Sequence, residues 1–142
     1  MPLVRITMAE GKTAEYRKAI ADGVHRALVA TANVPADDRF QSVHEVRAGD
    51  LFWDATYLGR QRTADVVFVQ VFLNVGRTTE IKKALYAGIA EELAASPGLR
   101  PDDVLVNLVE VSKENWSFGG GVMSYPPAPS RRRSITRFSP IR

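Results

Sequence analysis

The residue of this chain that most clearly could take part in catalysis is Pro2, which directly follows Met1. Methionine is readily removed before a small second residue, and we expect that removal here. A proline inside a chain has neither an N–H nor a basic nitrogen, whereas an amino-terminal proline is a secondary amine and therefore a base. An α-amino group titrates near pH ~8 in water, and burial or a nearby cation lowers that value. Pro2 is thus a candidate general base or acid.

The other reactive residue types give no comparable signal. The chain has no cysteine, which excludes disulfides, thiolate catalysis and cysteine metal sites and is typical of an intracellular protein. Neither histidine, His25 or His44, has a second ligand at metal spacing. No serine lies in a nucleophile-elbow motif, and Gly119-Gly120-Gly121 does not join a strand to a helix, as a phosphate site requires. We expect neither a metal nor a cofactor.

The sequence contains an internal repeat. Residues 11–46 align with residues 76–111 without a gap, at an offset of 65, and twelve of the 36 positions are identical. The identical pairs include Gly11/Gly76, Thr13/Thr78, Gly23/Gly88 and Asp38/Asp103. A unit found twice indicates two copies of one supersecondary element, because a solenoid needs three or more repeats.

Each copy of the repeat reads as strand, helix, strand. Thr13 and Glu15 suit the start of the first helix, and Val34-Pro35 suits its end, since the residue before proline avoids helical geometry. The predicted elements are residues 3–6, 14–32 and 40–46 in the first copy and residues 66–73, 78–95 and 104–111 in the second. Residues 66–73 are nearly all apolar, as in a strand covered on both faces.

The predicted fold class is therefore α+β. With the usual right-handed crossover, the two strands of each unit run parallel, and two units form a four-stranded sheet with two helices on one face. We place one domain at residues 1–125 and a tail at residues 126–142. The second face of the sheet is open in a monomer, and a large exposed apolar face is an interaction surface, so we expect a homo-oligomer.

The net charge of +3 comes from the tail. Residues 126–142 hold five arginines and no acidic residue, and the rest of the chain has 14 basic and 16 acidic residues. The proline and arginine content of the tail predicts disorder. A solvated extension is the simpler interpretation, and contact with RNA or an acidic partner is the alternative. Because neither an apolar run of membrane length nor a signal peptide is visible, we expect a cytoplasmic protein with no membrane or nucleic-acid partner.

Several segments together resemble the tautomerase superfamily, whose members use an amino-terminal proline in a duplicated β-α-β fold. These segments are Pro2, the repeat, Val34-Pro35-Ala36-Asp37-Asp38-Arg39-Phe40-Gln41 and Asn115-Trp116-Ser117-Phe118-Gly119. Within the superfamily, the chain looks most like the malonate semialdehyde decarboxylase group, over roughly residues 2–122. This resemblance implies a homotrimer with active sites near the subunit boundaries.

The resemblance also implies roles for particular residues. The decarboxylase group joins the proline with an aspartate, which falls on Asp38, and with two arginines in an Arg-Pro-Arg run. The second arginine falls on Arg77, but the first falls on Val75, so one cation of the expected carboxylate clamp is missing. Arg60 and Arg62 are candidates to replace it, and exposed loop positions are the alternative for both.

Each candidate residue also has a structural interpretation. Asp102-Asp103 repeats Asp37-Asp38 at the same offset, so Asp38 is equally a candidate for a turn or capping carboxylate. Arg77 either binds a substrate carboxylate, aided by the helix amino terminus, or lies in solvent. Trp116 and Phe118 either exclude water from the site or pack in the core.

We therefore expect a cofactor-independent enzyme that acts on a small oxo-carboxylate. Keto–enol tautomerisation is the minimal reaction, because it needs only Pro2 and one cation. Decarboxylation of a 3-oxo acid such as malonate semialdehyde, or hydration of an unsaturated acid with Asp38 activating water, is the alternative. The balance between Asp38 and Arg77 decides whether Pro2 is a neutral base or a cationic acid. A non-catalytic oligomeric binding protein is the alternative of another class, and the missing arginine at Val75 supports it.

Overall fold

The computed structural model describes residues 1–129. These residues divide into two units, of which the first is Met1–Val111 and the second begins at Ser112. The expectation of a disordered tail falls mostly on residues 130–142, which lie outside the described residues.

The first unit has the predicted order of strands and α-helices. The strands are β1 (Pro2–Ala9), β2 (Gln41–Val46), β3 (Val67–Asn74) and β4 (Val104–Val111), and the helices are α1 (Ala14–Ala32) and α2 (Thr79–Ala95). The strand order in the sheet is β2-β1-β3-β4. β1 runs parallel to β2, β3 runs parallel to β4, and β1 is antiparallel to β3. The duplicated β-α-β fold is confirmed.

The two α-helices begin at equivalent threonines. Thr13 Oγ1 accepts a hydrogen bond from the Tyr16 amide at 3.1 Å, and Thr78 Oγ1 accepts one from the Ile81 amide at 3.2 Å. Each hydroxyl satisfies an amide that the first turn of a helix leaves without a partner. α1 ends where Asn33 adopts a left-handed φ of 56°. No helix among residues 1–129 is long and apolar enough to cross a membrane.

β1 is longer than the predicted residues 3–6. It pairs with β3 from Pro2 opposite Leu73 onwards, and with β2 up to Ala9 opposite Val46. A central strand extends as far as its neighbours offer partners, and its own sequence does not contain that information. Pro2 suits the first position of the strand, because a proline there removes no bond from the interior of the ladder.

Both helices pack on one face of the sheet. The core of large buried side chains includes Val4, Ile6, Ile20, Val24, Leu28, Val67, Val69, Val71, Leu73, Leu85, Ile89 and Leu93. Burying each such side chain contributes roughly 1.5–3 kcal/mol. On the other face of β3, Phe68, Gln70 and Phe72 are half-buried. The expectation that this strand is covered on both faces is therefore not met by a single chain.

Candidate active site

The strand directions gather the site residues at one edge of the sheet. Because β1 and β2 are parallel, their first residues lie side by side, and because β3 is antiparallel to β1, its last residues lie at the same edge. Pro2 is buried there, opposite Leu73. The Val4 amide donates to the Phe40 carbonyl oxygen at 2.9 Å, which draws the segment before β2 towards the start of β1.

Asp38 lies in that segment and is close to the amino terminus. Its side-chain oxygen Oδ2 is 3.4 Å from the terminal amine of Met1. The residue is only 8% exposed, and its other oxygen, Oδ1, has no hydrogen-bond partner among the described residues. A buried carboxylate oxygen without a partner is costly for folding. Such a cost is common where a group serves the chemistry of a site.

The equivalent aspartate of the second copy has a different environment. Asp103 is also buried, and it accepts hydrogen bonds from the Thr63 amide at 2.6 Å and from the Thr63 hydroxyl at 2.7 Å. Thr63 precedes β3, at the place where the amino terminus precedes β1. The two aspartates therefore hold equivalent positions, but Asp103 fastens a loop whereas Asp38 meets the terminal amine.

Arg77 lies between β3 and α2, directly before the helix cap Thr78. Its Nε donates to the Ala32 carbonyl oxygen at 3.2 Å, and its Nη1 donates to the Asn74 carbonyl oxygen at 3.1 Å. Ala32 ends α1 and Asn74 ends β3, so the guanidinium is held between the ends of both elements. Neither hydrogen bond uses Nη2.

The charge of Arg77 is not neutralised by these two carbonyl groups. Burial lowers the pKa of Arg77, and the charge of Glu110 raises it; the guanidinium nevertheless stays cationic at neutral pH. Its counterpart in the first copy, Lys12, has its charge compensated, because Nζ lies 2.7 Å from Asp65 Oδ1 and 5.0 Å from the centre of the Tyr16 ring. Of these two equivalent cations, Lys12 forms an ion pair and Arg77 forms none with the described residues.

Among the described residues of a single chain, neither Arg60 nor Arg62 replaces the cation missing at Val75. Arg60 forms an ion pair with Asp102 at 3.5 Å, and Arg62 donates to the carbonyl oxygens of Asp54 and Tyr57. Asp102 precedes β4, whose first residues lie at the opposite edge of the sheet from Pro2. In the single chain, both arginines therefore lie in the loop before β3, away from Pro2.

Trp116 and Phe118 belong to the second unit. Their rings are stacked, with centroids 5.1 Å apart, and Phe118 meets the edge of Tyr125 at 6.3 Å. The Ser124 amide donates to the Trp116 carbonyl oxygen at 2.9 Å. These contacts form a local aromatic cluster, and a role of Trp116 and Phe118 in the site stays a prediction.

Sequence reasoning missed one polar residue at this edge. Asn74 follows Leu73, the partner of Pro2, and its Oδ1 is buried without a hydrogen-bond partner among the described residues. The available signal was a polar residue that ends an otherwise apolar strand. That signal acquires meaning only when the antiparallel pairing of β1 and β3 is known.

The sequence matches known families over most of its length. Residues 38–119 match a family described as "Tautomerase enzyme", and residues 2–60 match a second family of the same description. The chain belongs to the tautomerase superfamily. Within this superfamily of enzymes it falls in the malonate semialdehyde decarboxylase-like group.

Similar proteins and solved structures each match more than four-fifths of the chain. "Probable tautomerase YusQ" of Bacillus subtilis (strain 168) is 35% identical over 121 residues, which are 85% of this chain and 95% of that protein. A malonate semialdehyde decarboxylase inhibited by 3-bromopropiolate is 40% identical, with a TM-score of 0.82 over 87% of this chain and 93% of that chain. A fused 4-OT described as a symmetric trimer is 26% identical, with a TM-score of 0.71 over 85% of this chain and 94% of that chain.

The predicted superfamily, group and fold are thus confirmed for this member of the tautomerase superfamily. Pro2, Asp38 and Arg77 lie at one edge of its sheet. Their catalytic roles remain to be tested.

Proposed function

We propose that this chain catalyses keto–enol tautomerisation of a small oxo-carboxylate, with Pro2 as the proton carrier after removal of Met1. The observation that carries the proposal is the contact of the terminal amine with the buried carboxylate of Asp38. Removal of Met1 makes the nitrogen of Pro2 the free terminal amine, and Pro2 is itself buried at the same edge.

The proposed reaction moves one proton and needs no cofactor. The neutral amine of Pro2 removes a proton from the carbon next to the substrate carbonyl, and the C–H electrons form the double bond of the enolate. The charge that develops on oxygen is stabilised by Arg77, whose Nη2 is not used by its two carbonyl partners. The Pro2 ammonium then returns the proton to the oxygen, which gives the enol. The same steps in the reverse order convert the enol into the ketone.

Asp38 sets the protonation state of the amine in this scheme. A carboxylate beside an amine favours the cation, whereas burial and a nearby guanidinium favour the neutral form. The unpartnered Oδ1 of Asp38 is also placed to accept a proton or to orient a polar substrate group. The pH dependence of the rate therefore reports which influence dominates.

Decarboxylation of a 3-oxo acid such as malonate semialdehyde is the second candidate, and the contact between Asp38 and the amine favours it. A cationic Pro2 would polarise the substrate carbonyl. The bond to the carboxylate carbon would then break, its electrons would form the double bond of the enolate, carbon dioxide would leave, and the Pro2 ammonium would give its proton to the enolate oxygen. Hydration of an unsaturated acid, with Asp38 activating water, uses the same groups. The exposed Val75 in place of an arginine is the main argument against both.

Enol ketonisation by the full-length protein tests the tautomerase. The enol of phenylpyruvate is the probe, and its decay is followed by ultraviolet absorbance. We expect Pro2→Ala to lower kcat/KM by about 100-fold or more, because general acid–base catalysis contributes roughly 10²–10⁴-fold. Intact mass spectrometry first verifies that both proteins have lost Met1. Lys12→Ala, at the position equivalent to Arg77, is the control and should retain the wild-type rate.

Two outcomes of that assay would contradict the proposal. An unchanged rate in Pro2→Ala excludes Pro2 as the proton carrier. The absence of any rate above buffer, together with binding of oxo-carboxylates, points to the binding protein of the alternative class. Release of carbon dioxide from malonate semialdehyde, abolished in Arg77→Ala, would favour the second candidate.

Covalent labelling tests the reactive atom independently of the substrate. 3-Bromopropiolate inhibits the similar decarboxylase, and an electron-poor alkyne of this kind adds to a free amine. We expect the label on the amino-terminal peptide of wild-type protein and its loss when the reaction is run well below the titration range of the amine. A label found only on lysine side chains would argue against a reactive Pro2.

We also propose that the chain forms a homotrimer. The half-buried face of β3 leaves apolar surface available in the single chain, and the similar fused 4-OT is described as a symmetric trimer.

A further inference from the structure

The segment that carries Asp38 is fastened to α1 by polar contacts. His25 Nε2 donates to the Ala36 carbonyl oxygen at 2.9 Å, before Asp38 in the chain. Gln41 Nε2 donates to the Ala21 carbonyl oxygen at 2.9 Å, after Asp38 in the chain. The buried aspartate therefore lies between two points of attachment to the same helix.

The third and most polar attachment is made by Arg39. Its Nη2 donates to Asp22 Oδ1 at 2.6 Å, and its Nε donates to Gln41 Oε1 at 2.8 Å. Arg39 thus connects α1 to the first residue of β2. Because Asp38 and Arg39 are neighbours, a guanidinium held against α1 restricts the backbone of the residue that contacts the amine.

The second copy of the repeat lacks this set of contacts. The positions equivalent to Asp22, His25, Arg39 and Gln41 are Ala87, Ala90, Val104 and Val106. Three of these apolar side chains, together with Tyr86, line a cavity of about 220 Å³ between α2 and β4. The second copy folds without the polar contacts and fixes its own aspartate through Thr63 instead. The fold itself therefore does not require the contacts around Asp38.

We propose that Arg39 is a positioning residue: by its bonds to Asp22 and Gln41 it holds the Asp38 carboxylate against the amino-terminal amine. This inference rests on the proposed function of Pro2. A partly exposed ion pair contributes little to global stability, which agrees with a role in local placement. Lys18 shares the same aspartate through Oδ2 at 2.6 Å, but it lies on the exposed side of α1 and has no contact with the Asp38 segment.

Three variants test the role of Arg39. Arg39→Met keeps the length of the side chain and removes both hydrogen bonds, and Asp22→Asn removes the charge that Arg39 contacts. The doubly reversed Asp22→Arg/Arg39→Asp protein restores the pair with opposite polarity. Lys18→Met is the matched control, because it removes the neighbouring ion pair of Asp22 and leaves Arg39 bonded.

The readouts are kcat/KM for enol ketonisation and the pH dependence of 3-bromopropiolate labelling at the amino terminus. Besides Arg39 and Asp22, the charged or titratable groups on the elements around Asp38 include the terminal amine, Asp37, His25 and Arg77. We expect Arg39→Met and Asp22→Asn to lower kcat/KM by about 10- to 100-fold, because the Asp38 carboxylate would no longer be placed to orient the substrate, and a small misplacement in a site costs that much. The labelling profile should move to lower pH, because a carboxylate that has moved away stabilises the ammonium less.

The reversed pair should recover much of the lost rate, and Lys18→Met should behave as wild type. A labelling profile of Arg39→Met that superimposes on the wild-type profile, with only thermal stability changed, would overturn the positioning role. If the wild-type protein is nevertheless labelled and active, only the role of Arg39 is wrong and the proposed function of Pro2 stands. An inactive, unlabelled wild type contradicts both.

Discussion

The two equivalent aspartates, Asp38 and Asp103, differ in their hydrogen bonds and should therefore differ in what their substitution damages. Asp103 accepts two bonds from Thr63 at a buried position. Asp103→Asn leaves at least one of these donors without an acceptor, which costs roughly 1–3 kcal/mol of unfolding free energy. Asp38→Asn removes a carboxylate that has one unpartnered oxygen, so its unfolding free energy should stay the same or rise.

We expect the opposite order for catalysis. Asp38→Asn should lower kcat/KM by about 10-fold or more, and Asp103→Asn should retain the wild-type rate at temperatures where it is folded. Urea unfolding and enol ketonisation, measured on the same preparations, give both quantities. Equal losses of stability in the two variants would show that Asp38 is a structural carboxylate like its counterpart.

Arg77 provides a second prediction at the level of single residues. Arg77→Lys keeps a cation but loses the planar geometry that bonds two carbonyl oxygens and still presents Nη2. We expect it to lower kcat/KM for an oxo-carboxylate by about 10- to 100-fold, the effect of losing one charge-assisted hydrogen bond of roughly 1.5–3 kcal/mol to the developing enolate oxygen. Steady-state kinetics with the enol of phenylpyruvate measure kcat/KM. An unchanged kcat/KM would mean that another group stabilises the enolate.

Asp38 shows how far a single sequence can distinguish the roles of two equivalent residues. The repeat predicted correctly that two aspartates occupy equivalent positions, but the identical pairs Asp37-Asp38 and Asp102-Asp103 do not say how the hydrogen bonds of the two aspartates differ. The difference arises from what precedes each strand: Thr63 lies before β3, and a terminal amine lies before β1. The parallel pairing of β1 with β2, and of β3 with β4, brings these groups to the aspartates.

At the scale of elements, the packing of α1 against α2 depends on two equivalent glycines. A Cβ at Gly23 would lie 2.9 Å from Leu93 Cδ2, and a Cβ at Gly88 would lie 3.2 Å from Thr31 Cγ2. Leu93 is fully buried and has little room to move. Overpacking of roughly 1–3 kcal/mol should outweigh the helix-propensity gain of about 0.5–1 kcal/mol in Gly23→Ala. Gly88→Ala should be nearly neutral, and urea midpoints compare the two.

The contact between α1 and the segment before β2 predicts a pH dependence of stability. Hydrogen bonds from Lys18 and Arg39 lower the pKa of Asp22. A lowered carboxylate pKa stabilises the folded state above the unfolded value of about 3.9, and this contribution is lost as the pH falls through the lower folded value. The difference in Tm between wild type and Asp22→Asn should be constant from pH 7 to about 5 and should shrink below about pH 4. A difference that grows on acidification would contradict this assignment.

The helices were predicted within one residue at each end, whereas β1 was predicted too short. A helix is specified locally, since Thr13 and Thr78 cap it with their own side chains. The length of β1 depends on Leu73 and Val46, which are distant in sequence. The apolar run of β3 predicted a strand buried on both faces, and in one chain only one face is buried.

At the scale of the whole molecule, the second face of the sheet is the surface that a trimer would use. Leu105 is 42% exposed on this face, so Leu105→Asp costs little in the isolated chain. The same charge placed in an apolar interface should dissociate the assembly. Light scattering after size exclusion should give three times the 15.7 kDa of one chain for the wild type and a smaller mass for the variant. Ala94→Asp, on the exposed side of α2, is the control.

The position of β3 in the middle of the chain limits how many reactive centres a subunit holds. Val67 is the counterpart of Pro2, but its nitrogen is locked in a peptide bond and paired into the sheet. The second copy of the repeat therefore has no free amine at the position equivalent to Pro2. Titration with 3-bromopropiolate should therefore saturate at a single equivalent per polypeptide, because the equivalent place in the second copy is occupied by the hydrogen-bonded Thr63 and Asp103.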